Sequence, residues 1–217
     1  MKELFTEEFR SELNKSRVIA TVTIREPKDA LPIGEALLKG GINTIEVTLR
    51  TPVALESMKL LSDNLPEINL IAGTVIDLDQ VKEVIDAGAI CGVSPGLNVK
   101  IIEKALGLNF PFVPGIATPS EIELGLDYGC DIFKFFPSEK LGGVDFLENI
   151  YKPYAHKGIK FIPLGGIDLG NVKGYFNSSC VLAVGGSWIV DDKSVQSKDW
   201  ETITDKAEKV TALSVKK

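Results

Sequence analysis

VIATVTIREPKDALPIGEALLKGGINTIEVTLRT, residues 18–51, carries two β-rich runs, residues 18–24 and Thr44–Thr48, separated by enough chain for a turn, a helix and a return turn. That unit is the building block of a parallel sheet. The first run leads directly into IREPKDA. A doubly wound dinucleotide fold would show GxGxxG at that point, and the motif is missing. Gly40 and Gly41 stand where the intervening helix would end.

The unit recurs along the chain. Further β-rich runs at residues 70–72, 90–93, 112–114, 132–135, 161–163 and 181–184 bring the total to eight. Their starts are about 20 to 29 residues apart, which matches a strand-and-helix repeat. Helix openings fill the gaps. Asp77 can cap a helix in DLDQVKEVIDAGA, whose Leu78, Val81, Val84 and Ile85 form one stripe and whose end is marked by Gly88. TPSE, residues 118–121, sets a capping threonine, a first-turn proline and a third-position glutamate ahead of Ile122, Leu124 and Leu126. Thr51 and Pro52 offer the same opening after the second strand. Eight such units close into a (β/α)8 TIM barrel, expected as a single domain over residues 1–217 with a helix ahead of the first strand. An open doubly wound sheet is the alternative.

Composition narrows the function classes. Of 217 residues, 44% are hydrophobic and 25% charged, enough for a sizeable core. A net charge of −6 leaves no excess of Lys and Arg for phosphate backbones, so a nucleic-acid surface is not expected. The amino-terminal MKELFTEEFRSELNKSR lacks the apolar centre of a signal peptide, and no later stretch has the length of a membrane span; a cytoplasmic protein is expected. Cys91, Cys130 and Cys180 are odd in number and set in apolar runs, which suits buried core residues. The single histidine, His156, lies in the polar segment YKPYAHKG, which weakens a serine or cysteine triad and a histidine-rich zinc site alike. Chemistry without metal or cofactor is expected.

DIFKFFP, residues 131–137, puts Lys134 inside a run that otherwise reads as a buried strand, with Phe133, Phe135 and Phe136 around it. Burial disfavours a charged amine and frees its lone pair, the condition for Schiff-base chemistry. The plain structural account is an ammonium that reaches solvent or pairs with a carboxylate. In IEVTLRT of the second strand, Thr44, Glu46, Thr48 and Arg50 share one parity and Ile45, Val47 and Leu49 the other. The polar set is expected to face the barrel interior, with Arg50 at the rim. A Glu46–Lys134 or Glu46–Arg50 ion pair is the bland reading. Together at the barrel mouth the three residues supply a nucleophile, a proton carrier and a carboxylate clamp. Glycine pairs follow the seventh strand (Gly165, Gly166) and the eighth (Gly185, Gly186, then Ser187), where barrel phosphate sites often form.

EVTLRT, AGTV (72–75), SPGL (94–97), PGIATPSE (114–121), FKFFP, PLGGI and GGSW resemble, in order and spacing, the 2-keto-3-deoxy-6-phosphogluconate aldolases, which overlap with the 4-hydroxy-2-oxoglutarate aldolases. The resemblance covers residues 18–188. It implies Lys134 as the Schiff-base lysine and Glu46 as the general acid/base. It implies Arg50 and Thr74 on the carboxylate of the pyruvate portion, and Pro95 and Phe136 lining that pocket. Gly165, Gly166, Gly185, Gly186 and Ser187 match the phosphate loops, with Arg25 near them. The implied partner is a small phosphorylated 2-keto acid, and the implied assembly a homotrimer. Relatives specific for the gluconate-derived substrate usually carry threonine before the seventh-strand glycine pair, whereas this chain has Leu164. That exchange puts the configuration at C4, and the choice of substrate, in question. A galactonate-series aldolase, a non-covalent phosphosugar isomerase or epimerase, and a barrel that only binds phosphorylated metabolites are the rivals.

Overall fold

The computed structural model describes residues 10, 11, 13 and 16–214. Five parallel strands follow one another side by side: β1 Val18–Val22, β2 Thr44–Thr48, β3 Asn69–Gly73, β4 Cys91–Val93 and β5 Phe112–Val113. On the far side of β1 stands the last strand, β9 Val184–Gly186. A second parallel set holds β6 Gly115–Ile116, β7 Ile132–Phe135 and β8 Lys160–Pro163.

Two junctions join the sets into a closed barrel. At the first, β5 and β6 are one strand interrupted by Pro114, which has no N–H for the ladder. Its carbonyl still accepts the Lys134 N–H at 2.9 Å. At the second, Phe161 of β8 donates to Cys180 and accepts from Leu182, bridging in parallel to Val181. The (β/α)8 expectation therefore holds, with two corrections. The fifth strand is broken at its proline. The eighth runs over Val184–Gly186, so its expected stretch at 181–184 overlaps it only at Val184, while Val181 supplies the bridge to β8.

Strand parity divides the apolar residues into two shells. Ile19, Ile71, Val93, Val113, Ile132 and Ile162 fill the barrel, capped by Leu13. Val18, Ala20, Ile45, Val47, Phe133, Phe135 and Phe161 pack outward under the helices. Helix openings follow local chemistry. Asp77 and Gln80 form a reciprocal capping box ahead of Leu78–Asp86, and Thr118 and Glu121 do so ahead of Pro119–Asp127. Thr51 does not cap. Its hydroxyl donates to the Ile24 carbonyl at 2.6 Å, and the helix begins later, as Ala54–Asn64. Leu78 leaves the expected apolar stripe: in the first helical position, at the sheet rim, it is 44% exposed.

The closing helix, Trp200–Ser214, packs on Ala30–Lys39, where Thr204 donates to the Ala36 carbonyl at 3.0 Å. Arg10, Ser11, Leu13 and Ser16 are helical; the rest of the expected amino-terminal helix lies outside the described residues. Among the described residues no helix is long and apolar enough to cross a membrane.

Candidate active site

Glu46 and Lys134 are inward-facing residues of β2 and β7, and the barrel brings them face to face. Lys134 Nζ donates to Glu46 Oε1 at 3.0 Å, with the two residues 3% and 2% exposed. At that depth each charge requires the other, because removing one partner strands an uncompensated ion. The surroundings are aliphatic: Ile71, Val93, Val113, Ile162 and Leu164 line the space next to the pair. One aromatic ring, that of Phe136, lies over Nζ at 5.5 Å. The expected aromatic cage is thus reduced to a single ring, since Phe133 and Phe135 alternate to the opposite face of β7 and pack under the helices.

Gly73 makes room for the carboxylate. A Cβ built there would collide with Glu46 Oε1 and stand 2.7 Å from its Cγ. The next residue, Thr74, has φ +62°, a left-handed backbone rarely taken by a β-branched residue. Strain of about 1–3 kcal/mol at such a position is commonly held at functional sites. Cys91 lines the same interior space as Lys134, but burial holds its thiol far above the ordinary range, with Glu46 adding to the effect. Burial likewise pushes Cys130 up to about 12. Neither thiol is placed to ionise near neutral pH.

Above the barrel, at the carboxyl ends of the strands, opens a cleft of about 630 Å³. It gathers Arg25, Arg50, Gly165, Gly166, Gly185, Gly186 and Ser187, all of them selected from the sequence. Gly165 and Gly166 take φ +95° and +83°, and a Cβ on Gly166 would press on Glu139 Cβ at 2.7 Å. Gly185 and Gly186 are not loop residues as expected. They lie within β9, in register with Ile19 and Ala20. Side chains explain them: a Cβ on Gly185 would meet Leu164 Cδ2, and one on Gly186 would meet Trp188 Nε1, each at 2.5 Å.

Leu164 is therefore a wall. It lines the interior space, while Gly185, on which it packs, lines the cleft. That interior space measures about 10 Å³, too little for a keto acid, so a ligand reaching Nζ has to displace side chains at the mouth. Thr74 and Pro95 line neither space; the Pro95 carbonyl packs against Gly115, and a Cβ there would collide with it.

The sequence reading missed the acidic side of the cleft. Asp168, Asp191 and Asp192 all line it. Asp192 holds Arg25 in an exposed ion pair at 3.0 Å, and Lys206 holds Asp191, depressing its carboxyl well below the usual range. It also missed the brace beneath the Gly165–Gly166 turn. There Tyr175 donates to Glu139 and bonds Ser138 Oγ at 2.7 Å, while the Ser138 and Glu139 N–H groups donate to Leu164 and Gly165. Burial and the Glu139 carboxylate push the Tyr175 phenol up.

A lysine amine paired with a carboxylate inside a parallel α/β barrel, below a cleft carrying two arginines, defines a barrel enzyme equipped for covalent carbonyl chemistry. Comparison with known proteins gives the family. Residues 9–206 match the family described as KDPG and KHG aldolase. The 2-dehydro-3-deoxy-phosphogluconate aldolase of Treponema pallidum is 40% identical over 192 residues, covering 88% of this chain and 90% of that one. A crystal structure of KDPG aldolase from Legionella pneumophila, with pyruvate captured as a covalent carbinolamine intermediate, superposes with a TM-score of 0.87 at 39% identity, covering 92% and 96% of the two chains. One of the Zymomonas mobilis ZM4 enzyme with 3-phosphoglycerate gives 0.89 at 34% identity, covering 97% and 100%. The chain belongs to the KDPG and KHG aldolase family, the class I pyruvate aldolases.

Proposed function

We propose that the protein cleaves 2-keto-3-deoxy-6-phosphogluconate to pyruvate and glyceraldehyde 3-phosphate, and also 4-hydroxy-2-oxoglutarate to pyruvate and glyoxylate, with Lys134 as nucleophile and Glu46 as acid/base. The observation that carries this reading is the buried Nζ–Oε1 contact of 3.0 Å between inward positions of β7 and β2. A proton passed across that contact leaves a neutral amine beside a carboxylic acid.

The amine adds to the C2 carbonyl, and Glu46 returns a proton to the departing water to give an iminium ion. Arg50, which forms no ion pair among the described residues, holds the substrate carboxylate together with Thr74, while Pro95 and Phe136 border the pyruvate portion. Glu46 then takes the proton of the C4 hydroxyl. The C3–C4 bond breaks, its electron pair enters the iminium, and the aldehyde departs. Protonation of the enamine at C3 and hydrolysis release pyruvate and the amine. The phosphate sits in the cleft against Gly165, Gly166, Gly186 and Ser187, and Arg25 exchanges Asp192 for it. Binding there, away from the breaking bond, positions the reacting carbons.

Leu164 presents carbon where a hydroxyl would read the substrate, so the configuration accepted at C4 is the open feature of this site. Pyruvate release from the gluconate-derived, galactonate-derived and hydroxyglutarate substrates, assayed side by side, tests the proposal. The gluconate-derived compound should give the highest kcat/KM, and a higher value on the galactonate epimer would reassign the substrate. Assembly as a homotrimer, which the sequence resemblance implies, is to be checked by sedimentation equilibrium. A monomer mass would exclude it. Three free, buried cysteines suit a reducing cytoplasm. Reactivity of these thiols toward a permeant alkylating reagent in denatured whole-cell lysate checks this, because oxidised thiols would contradict it.

A further inference from the structure

Thr21 is 8% exposed, and its hydroxyl oxygen is buried with no hydrogen-bond partner among the described residues. The other two such atoms, Ser16 Oγ and Arg17 Nε, precede β1 at the opposite end of the barrel. Thr21 belongs to the chemistry end. In β1 its neighbours Ala20 and Val22 pack outward under the helices, so Thr21 faces inward with Ile19 and Thr23. Thr23 confirms that direction, meeting the Thr48 hydroxyl of β2 at 2.8 Å. One step down the same pair of strands, Thr21 is in register with Glu46, about 5 Å away by the spacing of parallel strands. A threonine hydroxyl buried without a partner carries a desolvation cost that valine in the same volume would avoid.

The position of β1 indicates what that hydroxyl meets. The strand stands between β2, which carries Glu46 and leads into Arg50, and β9, whose glycines line the cleft. A substrate bound at C2 to Lys134, with its C4 oxygen at Glu46 and its phosphate in the cleft, carries C5 across the inward face of β1. Leu164 packs on Gly185 of the adjoining strand β9 and offers only carbon. We infer that Thr21 is a specificity-determining residue whose hydroxyl bonds the C5 hydroxyl, the one on the carbon next to the aldehyde that leaves. The inference rests on the aldolase reading above.

It is tested in the direction of addition, with pyruvate and either glyceraldehyde 3-phosphate or 3-oxopropyl phosphate, which lacks that hydroxyl. The wild-type enzyme should prefer the hydroxylated aldehyde by about tenfold or more in kcat/KM. Thr21→Val should erase the preference by losing activity on glyceraldehyde 3-phosphate, and should unfold no earlier than the wild type. Thr21→Ser should restore it. A preference kept in Thr21→Val, or an equal loss on both aldehydes, would overturn the assignment. Absence of any pyruvyl adduct on the wild-type enzyme under borohydride would sink the aldolase reading instead, so the two failures are told apart.

Discussion

Glu46 can sit at the centre of the barrel because Gly73 of β3, against which its carboxylate lies, has no side chain. Gly73→Ala would drive a methyl group into the carboxylate, and no flexible surface chain stands there to give way. Under the proposed acid/base role of Glu46, a displacement of about 1 Å typically costs about a hundredfold in rate, so kcat should fall on that order. Overpacking should also lower stability by about 1–3 kcal/mol. Steady-state kinetics alongside urea unfolding would show both, and wild-type turnover would mean that the position of Glu46 is not critical. At this scale the sequence was legible in part. Parity within IEVTLRT and the anomaly of a lysine inside DIFKFFP were enough to turn Glu46 and Lys134 into the same interior, because side-chain direction in a strand is a local property, but they left Arg50 open as the partner of Glu46. Gly73 and Thr21 left no such signal. One matters for what it lacks and the other for a partner it does not have, and both become visible only when β1, β2 and β3 stand side by side.

Two openings that look alike in sequence behave differently as elements. Thr118–Pro119 and Thr51–Pro52 both set a capping residue before proline, yet only the first has glutamate three positions on. Glu121 Oε2 accepts from the Ala117 and Thr118 N–H groups, each at 2.8 Å, and from the Thr118 hydroxyl at 2.7 Å. Thr51, without such a partner, turns to the carbonyl of Ile24, just past the end of β1. Glu121→Ala should therefore destabilise the protein by about 1 kcal/mol, read as a shifted denaturant midpoint at unchanged slope. A midpoint equal to that of the wild type would show the box to be decorative. Strand boundaries were harder to read for a related reason. The apolar run at 181–184 marks burial, but ladder partners decide where a strand lies, and β1 pairs with Val184–Gly186. Pro114 interrupts its strand because it lacks an N–H, and the barrel uses the break as one of its two junctions.

Across the whole molecule, closing the sheet brings residues 88 positions apart to 3.0 Å and encloses them in aliphatic side chains. The closed sheet also separates the interior, where a carbon–nitrogen bond would form, from a rim cleft where the distant end of a substrate would be held. Leu164 forms the partition between them. The barrel itself was legible from eight repeats and a missing GxGxxG. The acidic lining of the cleft was not, because Asp168, Asp191 and Asp192 come to line one space with Arg25 and Arg50 only once the ends of β8, β9, β1 and β2 converge. The central claim is that Lys134 bonds to the keto carbon, and the most direct measurement is the intact mass of the protein after pyruvate and borohydride, followed by peptide mapping. The account predicts one reduced pyruvyl group per chain on the peptide containing Lys134, absent from Lys134→Met. An unmodified mass, or an adduct on another lysine, would contradict it.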